Sequence, residues 1–157
     1  MVEGQAVTGQ WLGGSGSDND CQTFGLTYGK TTDVSRPSPS KLWVFGEEHP
    51  DSNNDSGMAV QIADYQPGNA AWIDIPNNLH GGACAFAFAD GHVEFHKWIG
   101  GLMVTLKFIQ NGNVAEINSE GVGQPVAQSA ADLRDLNWIQ ARTSAPVQLS
   151  SAPGFPE

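Results

Sequence analysis

Basic side chains are scarce in this 157-residue chain: seven Lys and Arg stand against seventeen Asp and Glu, a formal net charge of -10. A field of that sign repels phosphate backbones and anionic lipid surfaces, so no nucleic acid partner is expected. Cysteine is nearly absent. Cys21 and Cys84 are too few for a disulfide scaffold and lack the C-x-x-C spacing of a zinc site. They can form one bridge in an oxidising compartment, or stand apart as a loop thiol at Cys21 and a buried small side chain at Cys84, which alternates with Phe86 and Phe88. Long apolar runs are missing as well. The longest, Ala83 to Ala89, is far short of the roughly 20 residues of a membrane helix. The first residues show no charged, apolar, then small-residue leader, so the chain as written carries no targeting signal. Catalytic signatures are also absent: there is no G-x-S-x-G elbow, no P-loop, and no G-x-G-x-x-G ahead of a helix.

What is abundant is turn-forming residues, with 19 Gly and 9 Pro. Short elements joined by many turns are expected. The pattern predicts an α+β fold, mainly an antiparallel β-sheet with β-hairpins and one C-terminal helix. The expected organisation is a single globular domain over residues 1–146 and a flexible tail over 147–157. "LWVF" (Leu42 to Phe45), "MAVQIADY" (58–65) and "AAWIDIP" (70–76) read as strands. Leu102 to Ile117 reads as a hairpin around Asn111-Gly112. Only Ser129 to Arg142 has helical spacing, with Ala130, Leu133, Leu136 and Ile139 on one stripe and Ser129 with Asp132 as an N-terminal capping box.

The stretch "HGGACAFAFADGHVEFHKW", His80 to Trp98, is the least ordinary. Asp90-Gly91 suits a two-residue type I′ turn, in which Gly supplies positive φ. That turn puts Phe88 opposite Val93, Phe86 opposite Phe95 and Cys84 opposite Lys97. One face then collects Cys84, Phe86, Phe88, Val93 and Phe95 as core. The other carries Ala83, Ala85, Ala87 and Ala89 beside His92, Glu94, His96 and Trp98. Small alanines leave room for a helix to approach. His92, Glu94 and His96 at alternate positions have the spacing of two imidazoles and a carboxylate on one metal, and equally the period of any half-exposed strand.

A second polar cluster runs from Glu47 to Asp55. Asp51, Asn53 and Asp55 have the D-x-N-x-D order of oxygen ligands for a hard cation, but Ser56 and Ile62 stand where an EF-hand needs Gly and Glu. An irregular Ca²⁺ loop and a solvated turn both fit. For catalysis, Glu47 or Glu48 near His80 or His92 would serve acid and base roles, with Asp90 a further candidate. This is the enzyme reading, a soluble glycoside or ester hydrolase. His80 and Asp90, at opposite ends of the first hairpin strand, are expected to be separate structural devices: Asp90 makes the turn, and His80 hydrogen-bonds backbone near its entry.

His80, the nine residues Gly81 to Ala89, then Asp90-Gly91 resemble the H-X9-DG signature of prepilin-type proteins, pseudopilin-like relatives of type II secretion pilins. "SPSKLWVFGEEHPDSNNDSG" (Ser38 to Gly57), "FADGHVEFHKW" (Phe88 to Trp98) and "LNWIQARTSAP" (Leu136 to Pro146) are similar to segments of the same family. The likeness spans Tyr28 to Pro146, although Leu102 to Val126 departs from the Pro-rich spacer of the family. Family members begin with a basic leader, a cleavage site and a long apolar helix. None of these is in this sequence, so the resemblance implies the globular head of a pseudopilin. It implies a sheet packed on the C-terminal half of such a helix, and secretion-system components or other pseudopilin subunits as partners. It further implies a periplasmic or extracellular setting, membrane attachment only through that helix, and a structural Ca²⁺, for which Asp51, Asn53 and Asp55 are the candidates. His80, Asp90 and Gly91 carry the signature.

Overall fold

The computed structural model describes residues 28–53, 57–60, 70, 72–106, 127 and 129–143. The 147–157 tail, the Asn111-Gly112 turn, Cys21 and Asp55 lie outside them. The expected α+β class is observed: a three-stranded antiparallel sheet and a C-terminal helix. Strands β1 (Trp43–Gly46), β2 (Ala83–Phe88) and β3 (Val93–Lys97) are ordered β1-β2-β3. Helix α1 (Gly101–Thr105) follows the hairpin, and helix α2 (Ala130–Gln140) closes the described fold.

The hairpin forms where the sequence places it, but its register is one residue away from the predicted one. Ala83 pairs with Lys97, Ala85 with Phe95, Phe86 with Glu94 and Ala87 with Val93. The loop is Ala89-Asp90-Gly91, three residues rather than two: the Gly91 amide donates to the Phe88 carbonyl at 2.9 Å and the Phe88 amide to the His92 carbonyl at 2.9 Å. The loop ends on one positive-φ residue, Gly91 at φ 93°, as three-residue hairpin loops commonly do. Because side chains alternate, the shift exchanges the two faces of β3. His92, Glu94, His96 and Trp98 share the inner face with Cys84, Phe86 and Phe88. Val93 and Phe95, expected in the core, are 61% and 64% exposed on the outer face. They lie there beside Ala85 and Ala87 and beside Phe45, which pairs with Ala87 and is 71% exposed.

Gly91 has open space around a prospective Cβ, so the demand at this position is purely one of backbone conformation. Gly91→Val is expected to lower stability by on the order of 1–2 kcal/mol, because an L side chain disfavours that φ. Thermal melting checks it, and an unshifted midpoint would contradict the turn.

The inner face is closed by α2. Trp43, Trp72, Phe86, Trp98, Met103, Leu136 and Ile139 are fully buried in one cluster, with Trp138 packed against it. Aromatic edges meet throughout: Phe86 and Trp138 lie 5.3 Å apart between ring centroids, and Trp72 and Trp98 5.7 Å. Helix α2 starts as its sequence specifies. Ser129 Oγ accepts from the Asp132 amide at 3.1 Å while Asp132 Oδ2 accepts from the Ser129 amide at 3.0 Å. Its buried stripe is rotated from the expected one: Leu136 and Ile139 are buried, Ala130 is exposed, and Asp132 and Asp135 face inward.

Three other expectations are corrected. Met58 to Val60 and Trp72 to Asn77, the described parts of two predicted strands and the residue after them, are irregular apart from an isolated bridge between Pro76 and Glu48. They hold together through Asp74, whose amide donates to Ala59 O at 3.2 Å while its carboxylate accepts from the Ala59 amide at 2.5 Å. Leu102 to Thr105 is helical, because Asp132 Oδ1 accepts from the Leu102 amide at 3.0 Å and Asn78 Nδ2 donates to the carbonyls of Met103 and Leu106. Those partners satisfy both ends of a helix too short to persist alone.

Candidate functional site

The sequence candidates separate into three groups. The first joins two of them across 33 residues: His80 Nε2 stands 2.9 Å from Glu47 Oε2 and 3.1 Å from Oε1. Glu47 follows β1 directly, and His80 precedes β2 on a turn closed by the Gly82 amide to the Asn78 carbonyl at 2.9 Å. Glu47 Oε2 also accepts from the Ala85 amide at 3.3 Å, and the His80 ring meets the edge of Phe95 at 5.8 Å between centroids. The pair therefore sits at the rim of the outer apolar face. The side-chain partner of His80 is a carboxylate rather than the expected backbone groups. Both side chains are nearly half exposed, so the contact contributes at most about 1 kcal/mol to stability. Glu48 is paired through its backbone to Pro76.

The second group is the hairpin tip. Asp90 Oδ1 accepts from His92 Nδ1 at 2.6 Å and from the His92 amide at 3.2 Å, and the His92 ring stacks on Phe88 at 4.3 Å, nearly parallel. The hydrogen bond from His92 is the main reason the Asp90 carboxyl lies below the ordinary Asp range. His80 and Asp90, at the two ends of β2, thus have different partners. A groove of about 310 Å³ beside the tip is lined by Tyr28, Val34, Leu42, Val44 and Phe88 among others, and by none of the candidate acids or bases.

The third group lies on the inner face and was missed as a cluster. The His96 ring stacks on Trp138 at 3.8 Å and meets Trp98 edge-on at 4.6 Å, and its Nε2 is 3.6 Å from Asp135 Oδ1. The Arg142 guanidinium lies over the Trp138 ring, 4.2 Å from its centroid. Asp135 Oδ2 accepts from the amides of Ile99 at 3.0 Å and Gly100 at 2.7 Å. Both carboxylates of α2 are thereby spent on the chain that leaves β3. A Cβ at Gly100 would collide with Asp132, so the helix approaches there only because that residue is Gly.

His92, Glu94 and His96 do share one face, but His92 is engaged with Asp90 and His96 with Trp138 and Asp135. Among the described residues no three His, Cys, Asp or Glu side chains converge as metal ligands. In the acidic loop Asp51 is buried with Oδ2 3.9 Å from His49 Nδ1, and Asn53 is exposed. The loop turns on the His49 carbonyl, which accepts from the amides of Ser52 and Asn53. Cys84 is a free, buried thiol; burial pushes it up to about 12, so it is a poor nucleophile at neutral pH.

Burial holds His49 below the ordinary His value, against the opposing charge of Asp51. It does the same to His96 against Asp135, with Arg142 adding to the lowering and Glu94 opposing it. Both imidazoles are therefore neutral in the fold. A base with a lowered native pKa contributes stability that is present above its unfolded value, about 6.5, and is lost as pH falls below it. The urea midpoint is expected to drop between pH 7.5 and pH 5.5, at no more than about 1.4 kcal/mol per pH unit for each group. His96→Gln should flatten the slope; a midpoint that rises on acidification would contradict the neutral imidazoles.

No family model matches this chain, and searches of curated proteins and of solved structures also found no match.

Proposed function

We propose that this chain is the head of a pseudopilin-like assembly subunit, and that its outer sheet face is the seat of an apolar helix. One observation carries the reading: Phe45, Val93 and Phe95 are 71%, 61% and 64% exposed around the half-buried Ala85 and Ala87. Adjacent exposed aromatic and branched side chains on one sheet face mark an interaction surface. Alanines down the central strand let a helix backbone come close. The H-X9-DG resemblance from His80 to Gly91 names such a helix as the occupant, and the inner face already holds α2. The same reading gives Asp51, Asn53 and Asp55 a structural Ca²⁺. Adding Ca²⁺ should then raise the melting temperature, and a chelator should reverse the rise. The assembly role is tested in the genomic reading frame upstream of Met1. A basic leader, a cleavage site and an apolar run of about 20 residues are expected there; a frame that opens at Met1 overturns the reading.

The Glu47–His80 pair favours a second reading, a hydrolase in which Glu47 orients an imidazole base. An ester and glycoside substrate panel decides between the two. Turnover abolished by His80→Ala and by Glu47→Gln supports the enzyme, whereas an assembly subunit turns nothing over.

A further inference from the structure

We propose that Asp90-Gly91 is a latent site of backbone isomerisation and that His92 holds it shut. Among Asp-X peptides, Asp-Gly is the one most open to this reaction, because glycine has no Cβ to hinder its amide nitrogen. That nitrogen attacks Cγ of the preceding aspartate in its protonated form, an N–C bond forms, and the carboxyl hydroxyl departs with the amide proton as water. The resulting succinimide takes up water at either carbonyl, which returns aspartate or leaves the chain running through the β-carboxyl as isoaspartate. No reagent other than water is needed, and the net composition is unchanged.

The hairpin tip presents this dipeptide at the surface, with both Asp90 and Gly91 exposed, yet each reacting group is engaged. Asp90 Oδ1 is held by His92 Nδ1 at 2.6 Å and by the His92 amide at 3.2 Å. Since an ionised carboxylate only accepts, Nδ1 carries the proton. The Gly91 nitrogen points its hydrogen at the Phe88 carbonyl at 2.9 Å. Ring closure requires the carboxyl carbon to rotate onto that nitrogen, which breaks the His92 contacts. The imidazole is itself fixed, stacked on the buried Phe88 ring at 4.3 Å and 5°. The same contact keeps the Asp90 carboxyl ionised to lower pH, and the anion is a poorer acceptor of a nucleophile than the neutral acid. Isomerisation would add one methylene to the main chain in a loop whose length sets the β2–β3 register, so the site is also where the hairpin is most easily spoiled.

The experiment compares wild-type protein with His92→Ala during incubation at 37 °C and neutral pH. Isoaspartate is counted by enzymatic methylation of the isoaspartyl carboxyl and located at Asp90 by peptide mapping. The expected result is several-fold faster accumulation in His92→Ala at unchanged near-ultraviolet circular dichroism. If that variant does not fold, His92→Gln, which keeps a donor but loses the ring stack, is compared in the same way and is expected to lie above wild type. Equal or slower accumulation in the folded variant, or none in either protein, overturns the proposal.

Discussion

Trp98→Ala is expected to cost about 3–5 kcal/mol, the range for removing a buried large aromatic. Phe95→Ala, three residues earlier on the same hairpin, should cost less than about 1 kcal/mol, as exposed positions do. The contrast tests the register. Trp98 is 1% exposed, donates its indole N–H to the Asn77 carbonyl at 2.8 Å, and touches the rings of Trp72, Phe86, His96 and Trp138. Its removal opens a cavity where four aromatic rings meet and leaves a buried carbonyl short of its donor. Phe95 is 64% exposed, with the His80 ring edge-on against it. In the two-residue-turn register the order of the two costs would be reversed. Urea unfolding of the two variants, with m-values compared to confirm a common unfolded reference, therefore distinguishes the alternatives in one measurement.

Asp135→Ala is the second large effect, on the order of 3 kcal/mol of lost stability. The Asp135 carboxylate is buried, accepts two backbone amides through Oδ2, and faces His96 through Oδ1. Hydrogen bonds to a charged acceptor are each stronger than neutral ones, and truncation leaves the buried Gly100 amide without its partner. Asp135→Asn keeps one acceptor oxygen and should recover part of the loss. Asp132→Ala, which removes the α2 capping box and the Leu102 contact together, should be comparably harmful, and the two losses should not add because both carboxylates secure one turn. If Asp135→Ala melts within a degree or two of wild type, the carboxylate does not join α2 to the sheet.

The capping box was readable because all of its chemistry lies within Ser129 to Asp132. The hairpin was readable for the same reason, but not its register: Asp-Gly serves two-residue and three-residue loops alike, since both place glycine at positive φ. The sequence after it, His-Val-Glu-Phe-His-Lys-Trp, offers two alternating sets. Val93 and Phe95 look like the inner set by hydrophobicity alone. The choice of His96 and Trp98 instead is made by Trp138, Asp135 and Asn77, residues outside the hairpin that no local pattern reveals. The inward turn of Asp132 and Asp135 is hidden similarly, because their acceptor role depends on amides about 30 residues away in the chain. Trp98, a large aromatic at the end of the His92-Glu94-His96 set, was the available clue. Glu47 and His80 were both among the candidate side chains, and a surface pair of this kind is named by residue type but joined only by the fold.

The turn that follows α2 is sewn to the first residue of β1: the Trp43 amide donates to the Arg142 carbonyl at 3.0 Å, and its indole N–H to Thr143 Oγ1 at 3.0 Å. The two extremes of the described core are neighbours in space, a hundred residues apart in the chain. The helix therefore cannot peel away without loosening the edge of the sheet, and amides in β1 and in α2 should exchange with solvent deuterium in one cooperative opening rather than two.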